Sequence, residues 1–187
     1  MNPRRWLLLV LIAVPPLIAA IALTYALTRD GSGALDVTLR EGGQPVMVTT
    51  GRDAIRRVAE RVGFEPAVPD RVPGTLQLTV VDSLFPPQGG ALAPRSLLTF
   101  ESPDDEGQWM GVAQSTQYWG VDLSGWERLD LDREGTEAWT DSPEGAAESQ
   151  YWIIHGDRMF VYVGIAGLAL SRDEAVALLK EIASQLR

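Results

Sequence analysis

The acidic residues between positions 130 and 141 have the spacing of a calcium-binding loop. Oxygen-bearing side chains and a glycine occupy positions 1, 3, 5, 6 and 12 of such a loop: Asp130, Asp132, Glu134, Gly135 and Asp141. Carboxylate oxygens are the ligands that this hard cation prefers, but the loop normally lies between two helices. Here the flanking segments, residues 126–131 and 136–140, have the alternating pattern of strands. We therefore expect an acidic turn that faces solvent and no metal site.

His155 is the only histidine, and the chain has no cysteine. A metal site with several histidines, a cysteine nucleophile and a disulfide are therefore excluded. A serine-histidine-aspartate triad would have to use His155, which adjoins a predicted hairpin turn at Gly156 and Asp157. The chain also lacks the Gly-x-Ser-x-Gly sequence of serine hydrolases and a glycine-rich phosphate loop. We expect a protein that is not an enzyme and needs no cofactor.

An apolar run that begins at Trp6 and ends at Leu27 directly follows Arg4 and Arg5. Roughly 22 helical residues span about 33 Å, enough to cross a hydrocarbon core. Basic residues stay on the cytoplasmic side, so we expect the amino terminus inside and the rest of the chain outside. The predicted parts are a cytoplasmic tip (residues 1–5), a single transmembrane helix (6–27), a linker (28–35) and an extracytoplasmic domain (36–187).

A cleaved secretory signal is the alternative interpretation of this segment. Ala20, Ile21 and Ala22 have the small-x-small form of a cleavage site. The apolar run is longer than a signal core, however, and residues 23–27 continue it past that site. These features favour an uncleaved anchor in the cell membrane.

The charge of the chain excludes one class of partner. Its net charge is −9, and the predicted exterior domain is more acidic still because Arg4, Arg5 and Arg29 precede it. A strongly acidic surface repels phosphate backbones, so we expect no nucleic acid partner.

The first helix of the domain is predicted between Thr50 and Gly63. Thr50 and Asp53 resemble a capping pair, and Gly63 supplies a stop. Apolar residues recur at helical spacing on one face: Ile55, Val58, Ala59 and Val62.

Four arginines occupy the opposite arc of that helix: Arg52, Arg56, Arg57 and Arg61. They form a candidate patch for membrane headgroups or for a partner protein. The alternative is a solvated face that pairs with the acidic body of the domain.

The remainder of the domain has the pattern of an α+β fold. A hairpin with a turn at Gly42 and Gly43 precedes the first helix, and Ser171 with Glu174 forms a capping box for a C-terminal helix. Between the two helices, strands are predicted at residues 76–81, 95–100, 109–118, 126–131, 136–140, 150–155 and 158–165. We expect an antiparallel meander sheet of about six to eight strands, flanked by an N-terminal and a C-terminal helix.

The strongest local signal is the hairpin between Tyr151 and Val163. A two-residue turn at Gly156 and Asp157 would pair Trp152 with Val161. Both faces of this hairpin are apolar, so both should be covered. One cover is the C-terminal helix, and the other is the first helix or the concave side of a curled sheet that encloses something apolar.

Tryptophans are concentrated in the same third of the chain and form a candidate face for an apolar ligand: Trp109, Trp119, Trp126 and Trp152. The alternative is that they are core residues and cross-strand pairs, the commoner role of aromatic side chains in sheets.

The order of these features resembles the DUF4367 type of bacterial extracytoplasmic domain. The matching features are Val62-Gly63-Phe64, the proline-rich residues 69–74, the hairpin and the terminal Ser-capped helix at residues 170–186. The resemblance implies a membrane-attached envelope protein, and it suggests a similarity in shape to RseB-like and lipoprotein-carrier half-barrels that bind acyl chains. Fifteen arginines beside a single lysine further suggest a GC-rich bacterium.

From these features we expect a non-catalytic interaction or sensory module of the bacterial cell envelope, with an envelope protein as its partner. The alternative is a carrier or sensor of an apolar ligand, such as a lipid or a lipoprotein acyl chain, held in a concave sheet.

Overall fold

The computed structural model describes residues 36–84, 93–156 and 158–186. The chain divides into two compact units, Met1–Ala34 and Leu35–Arg187, and every described residue belongs to the second. The predicted transmembrane helix and linker lie outside the described residues. Within the described residues, no helix is long and apolar enough to cross a membrane.

The described part of the domain is an α+β fold of nine strands and two helices. In chain order these are β1 (Asp36–Glu41), β2 (Gln44–Thr50), α1 (Gly51–Val62), β3 (Gln77–Leu84), β4 (Arg95–Glu101), β5 (Trp109–Ser115), β6 (Glu127–Leu129), β7 (Thr136–Thr140), β8 (Glu148–His155), β9 (Met159–Ala166) and α2 (Arg172–Gln185). The α+β class and the two flanking helices are thus confirmed.

All nine strands form one sheet in the order β2-β1-β3-β4-β5-β9-β8-β7-β6. The prediction of a purely antiparallel sheet is wrong, because β1 and β3 run parallel, with Thr38 opposite Val80 and Leu39 opposite Val81. Helix α1 starts where β2 ends and runs back toward the β1-β2 turn, where Arg61 pairs with Glu41. Residues 63–76 then return the chain to the end at which both β1 and β3 start. The strand count exceeds the predicted six to eight because the first hairpin joins the same sheet.

The pairing of β8 with β9 differs by one residue from the predicted register. His155 lies opposite Met159 and Trp152 opposite Tyr162, so three residues rather than two connect the strands. Side chains alternate between the faces of a sheet, so a slip of one residue changes which side chains share a face. The slip places Trp152, Phe160 and Tyr162 on the same side of the sheet.

Both helices begin at the predicted signals, and α1 also ends at its predicted glycine. The Thr50 side chain accepts a hydrogen bond from the backbone N–H of Asp53, and Gly63 ends α1 in the left-handed region at φ 81°. At α2, Ser171 and Glu174 form a reciprocal capping box. These local patterns predict the helix boundaries because they satisfy the backbone groups that a helix end leaves unpaired.

One face of the sheet packs against the helices and forms the core. Strand residues on this face belong to the same buried cluster as residues of α1 and α2. The fully buried members include Leu98, Met110, Val112, Ile153, Val58, Leu179 and Ile182. Alternate strand residues therefore lie on the opposite face, which we call the helix-free face.

Candidate functional site

Five aromatic side chains form a cluster on the helix-free face: Tyr118, Trp119, Trp152, Phe160 and Tyr162. Trp152 lies at its centre, with ring centroids 5.0 Å from Trp119, 5.4 Å from Tyr162 and 6.5 Å from Tyr118. Tyr118 also contacts Phe160 at 5.3 Å. Two of these pairs, Trp152 with Trp119 and Trp152 with Tyr118, meet edge to face, a favourable arrangement of aromatic rings. The cluster is a small second core, supplied by two strands and by the segment after β5.

The exposed fraction of the side chains increases from the inner to the outer members of the cluster. Trp152 is 3% exposed, whereas Tyr118 is 37% exposed. Trp119 and Tyr162 are half-buried. The outer members therefore offer ring surface to a partner while the inner members hold them in place.

Two glycines lie at the centre of the helix-free face, next to this cluster. Gly111 and Gly164 are directly opposite each other on β5 and β9. A Cβ atom added at Gly111 would lie 3.3 Å from the Trp109 ring, and one added at Gly164 would lie 3.2 Å from the Tyr162 hydroxyl oxygen. Each ring thus covers the glycine two residues along its own strand, an arrangement that compensates for the missing side chain.

Arg95 adds a positive charge to the aromatic cluster. Its guanidinium carbon lies 4.5 Å from the ring centroid of Trp119, a favourable distance for a cation-π interaction. Partial burial lowers the pKa of Arg95 from its ordinary value, but a guanidinium stays charged at physiological pH. Among the described residues, no carboxylate forms an ion pair with Arg95.

A second arginine-tryptophan pair flanks the cluster on the other side. Trp139 lies opposite Trp152 on β7, and the guanidinium carbon of Arg128 lies 5.8 Å from the Trp139 ring centroid. Arg128 also pairs with Glu137 at 3.3 Å. In the described part of the chain, the buried indole N–H groups of Trp119 and Trp139 have no acceptor. The face therefore combines aromatic surface, one unpaired cation and two unsatisfied donors.

The structure brings three of the four predicted tryptophans to this face. Trp119 and Trp152 belong to the cluster, and Trp109 lies beside it. Trp126 lies in the turn before β6, where its N–H donates to Leu123, and it makes no ring contact with another described aromatic residue. Sequence reasoning missed Phe160 and Tyr162 because it placed the β8-β9 register one residue away.

The four arginines of α1 differ in their contacts. Arg56 pairs with Asp53 at 2.7 Å and Arg61 with Glu41 at 2.6 Å. Arg52 and Arg57 are exposed and form no ion pair with a described residue. Two of the four arginines therefore form ion pairs and two face solvent, and the binding role of the patch stays a prediction.

The acidic loop and His155 have structural contacts. The Asp132 carboxylate binds Lys180 of α2 at 2.5 Å, and the Asp130 carboxylate accepts from the backbone N–H of Asp132. The His155 ring nitrogen Nδ1 lies 2.8 Å from the Thr136 hydroxyl on the neighbouring strand. In residues 36–84, 93–156 and 158–186, no three acidic or histidine side chains converge as metal ligands would.

Comparison of the chain with models of protein families, with curated proteins and with solved structures finds no match. The resemblance to DUF4367 domains thus stays a prediction from the sequence.

Proposed function

We propose that this chain is a non-catalytic interaction or sensory module, held at the bacterial cell membrane by residues 6–27, with its domain outside the cytoplasm. The helix-free face is its binding surface, and the partner is a protein of the cell envelope. The observation that carries the proposal is the half-buried Arg95, stacked on Trp119 and without a carboxylate partner among the described residues.

The composition of this face is that of a binding hot spot. Tryptophan, tyrosine and arginine carry a disproportionate share of binding energy in protein interfaces, where their large surfaces become fully desolvated. The domain is otherwise acidic, so the half-buried cation Arg95 on an aromatic surface favours a partner with a carboxylate near an apolar group.

A carrier of an apolar ligand is the second candidate. The face that packs on the helices is filled by large side chains, including Leu98, Met110 and Ile153, each fully buried. An acyl chain would therefore lie on the helix-free face, along the Trp109 and Tyr162 rings that cover Gly111 and Gly164. The two candidates share one surface and differ in the mass of the molecule that binds it.

Photo-crosslinking in the source cells tests this proposal. The photoreactive residue benzoylphenylalanine replaces Trp109 in the full-length chain, and the same residue in place of Trp126 provides a matched control outside the aromatic cluster. We expect a protein adduct from position 109, absent from position 126 and strongly reduced by Arg95→Gln.

Each outcome of the photo-crosslinking decides between the candidates. An adduct of a few hundred daltons at position 109 would favour the carrier. Equal labelling at positions 109 and 126, or no labelling at position 109, would contradict a binding role for the helix-free face.

A further inference from the structure

Strand β2 exposes apolar side chains at the edge of the sheet. Among the described strands, it lies at one end of the order and pairs only with β1. Val46 is 51% exposed, Met47 38% and Val48 43%. In the described part of the chain, four large hydrophobic residues are exposed: these three consecutive residues and Tyr118. Three adjacent exposed apolar side chains make this edge a candidate interaction site.

The edge strand carries no charge, whereas the helix that follows it is basic. Gln44–Thr50 contains no acidic or basic residue, while the opposite edge strand, Glu127–Leu129, carries both charges, a common protection against unwanted pairing. Pro45 and a bulge between Leu39 and Arg40 interrupt the pairing register at the start of β2. These interruptions disfavour the addition of another strand along its full length.

The basic residues lie next to the apolar strand. Helix α1 starts directly after Thr50, and the Arg61–Glu41 ion pair holds its other end near the turn where β2 starts. Helix α1 therefore runs back alongside β2. Arg52 and Arg57 thus lie on the helix next to the apolar strand, on a domain that is elsewhere acidic. Met47 is opposite Leu39 and Val48 is opposite Thr38, so their side chains leave the exposed edge on opposite faces of the sheet.

We infer that β2 and α1 together form a surface that docks on an anionic phospholipid membrane. The edge of β2 enters the headgroup region with Met47 on the α1 side and Val48 on the other side, and Arg52 and Arg57 bind lipid phosphates. Apolar side chains beside unpaired cations are the combination that interfacial segments use. The charge complementarity is local, because the acidic remainder of the domain is repelled by the same surface. This inference deepens the proposed membrane attachment and rests on it.

The absence of cysteine from the chain provides a direct test. The full-length Met47→Cys protein carries an environment-sensitive fluorophore and is reconstituted into liposomes of phosphatidylcholine alone, or with 30% phosphatidylglycerol. Ala169→Cys, in the exposed loop before α2, is the matched control. We expect a blue shift and quenching by lipid-borne quenchers for position 47 in anionic liposomes only, with position 169 unchanged.

Two changes should reduce the blue shift and the quenching of the fluorophore at position 47. Replacing Arg52 and Arg57 with glutamine should lower the docking constant about 30-fold, given the attraction of each basic residue to an anionic surface. Salt at about 1 M should act in the same direction, because it shortens the screening length to about 3 Å. The Arg56→Gln/Arg61→Gln protein is the control of equal charge, and it should lose less because Arg56 and Arg61 are already paired.

The same experiment separates failure of the inference from failure of the anchor. Flotation with phosphatidylcholine liposomes reports the anchor alone, since those lipids carry no net charge. Flotation without a shift at position 47 in anionic liposomes would overturn docking and leave the anchor intact. Unlabelled Met47→Cys protein that forms a disulfide-linked dimer in the anionic liposomes would overturn lipid docking and identify a second copy as the occupant of β2.

Discussion

The side-chain amides of Gln114 and Gln185 bind the backbones of two consecutive residues, Ala67 and Val68. Gln114 accepts from the Ala67 N–H at 2.8 Å and donates to its carbonyl at 2.9 Å. Gln185 does the same at Val68, with both distances 2.8 Å. One glutamine belongs to β5 and the other to α2. The proline-rich segment after α1 is therefore fixed between the sheet and the second helix.

Removal of the inner glutamine should destabilise the domain strongly. Gln114 is fully buried, so Gln114→Ala leaves a buried N–H and a buried carbonyl without partners and should cost about 3 kcal/mol. Gln185 is partly exposed, and water can replace it, so Gln185→Ala should cost about 1 kcal/mol. Urea unfolding of both variants measures the difference. Equal costs would contradict a special role for Gln114.

This pair of contacts also shows where prediction from the sequence stops. Prolines predict an irregular segment after α1, and local capping signals at Thr50 and Ser171 predict the helix starts, which the structure confirms. Nothing in the local pattern relates Ala67 to Gln114, because these residues are far apart in the chain. The parallel pairing of β1 with β3 is a long-range contact of the same kind.

The aromatic face was predicted only in part, for a related reason. Alternation fixes the register of a strand when one face is polar, but both faces of the β8-β9 hairpin are apolar, so its register depended on turn length alone. A two-residue turn would place Trp152 and Tyr162 on opposite faces of the sheet. The observed three-residue connection makes them direct cross-strand neighbours on the same face. Long-range packing, rather than a local sequence pattern, therefore determines that Phe160 and Tyr162 share a face with Trp152.

Gly167 should tolerate no side chain. It has φ 73°, and a Cβ atom there would lie 2.3 Å from the carbonyl oxygen of Gly107. Gly167→Ala combines left-handed strain with a backbone clash and should cost more than about 3 kcal/mol. Gly125→Ala is the control, because Gly125 has φ 87° with no atom within 4 Å of the added Cβ, and it should cost about 1 kcal/mol. In thermal unfolding, the Tm of Gly167→Ala should therefore be well below the Tm of Gly125→Ala.

Asp82 should make stability depend on pH. Burial raises the pKa of Asp82 above its ordinary 3.8, although the backbone N–H of Gly43 and the charge of Arg40 oppose the shift. The folded state therefore binds a proton more tightly than the unfolded state, so ionisation of Asp82 weakens the fold as pH rises from about 4. Asp82→Asn should gain stability relative to the parent between pH 4 and 7. Urea unfolding across that pH range checks the trend, with Asp104→Asn at an exposed position as control. A stability difference between Asp82→Asn and the parent that does not change with pH would contradict it.

The capping box of α2 predicts a pH effect of opposite sign. Hydrogen bonds from the Ser171 side chain and backbone lower the pKa of Glu174, so its stabilising effect is present above its ordinary pKa and is lost as pH falls through the lowered value. Ser171→Ala should cost about 0.5 to 2 kcal/mol at neutral pH. The cost should shrink in acid, where Glu174 is protonated in both proteins. A cost that does not change between pH 7 and pH 3 would contradict the reciprocal cap.

Alanine variants of Trp152 and Trp126 test whether the aromatic cluster is a second core that supports the proposed binding surface. Trp152 is 3% exposed and contacts three other rings, so Trp152→Ala should cost about 3 to 5 kcal/mol. Trp126 lies in a turn and is half-buried, so Trp126→Ala should cost about 1 kcal/mol.

The near-ultraviolet circular dichroism of the aromatic cluster should disappear only in Trp152→Ala. Arg95→Gln separates stability from binding, since it removes a charge at the rim of the cluster and leaves the rings packed. If Arg95→Gln instead unfolds the domain as readily as Trp152→Ala, Arg95 serves the fold, and the case for a binding surface built around it is lost.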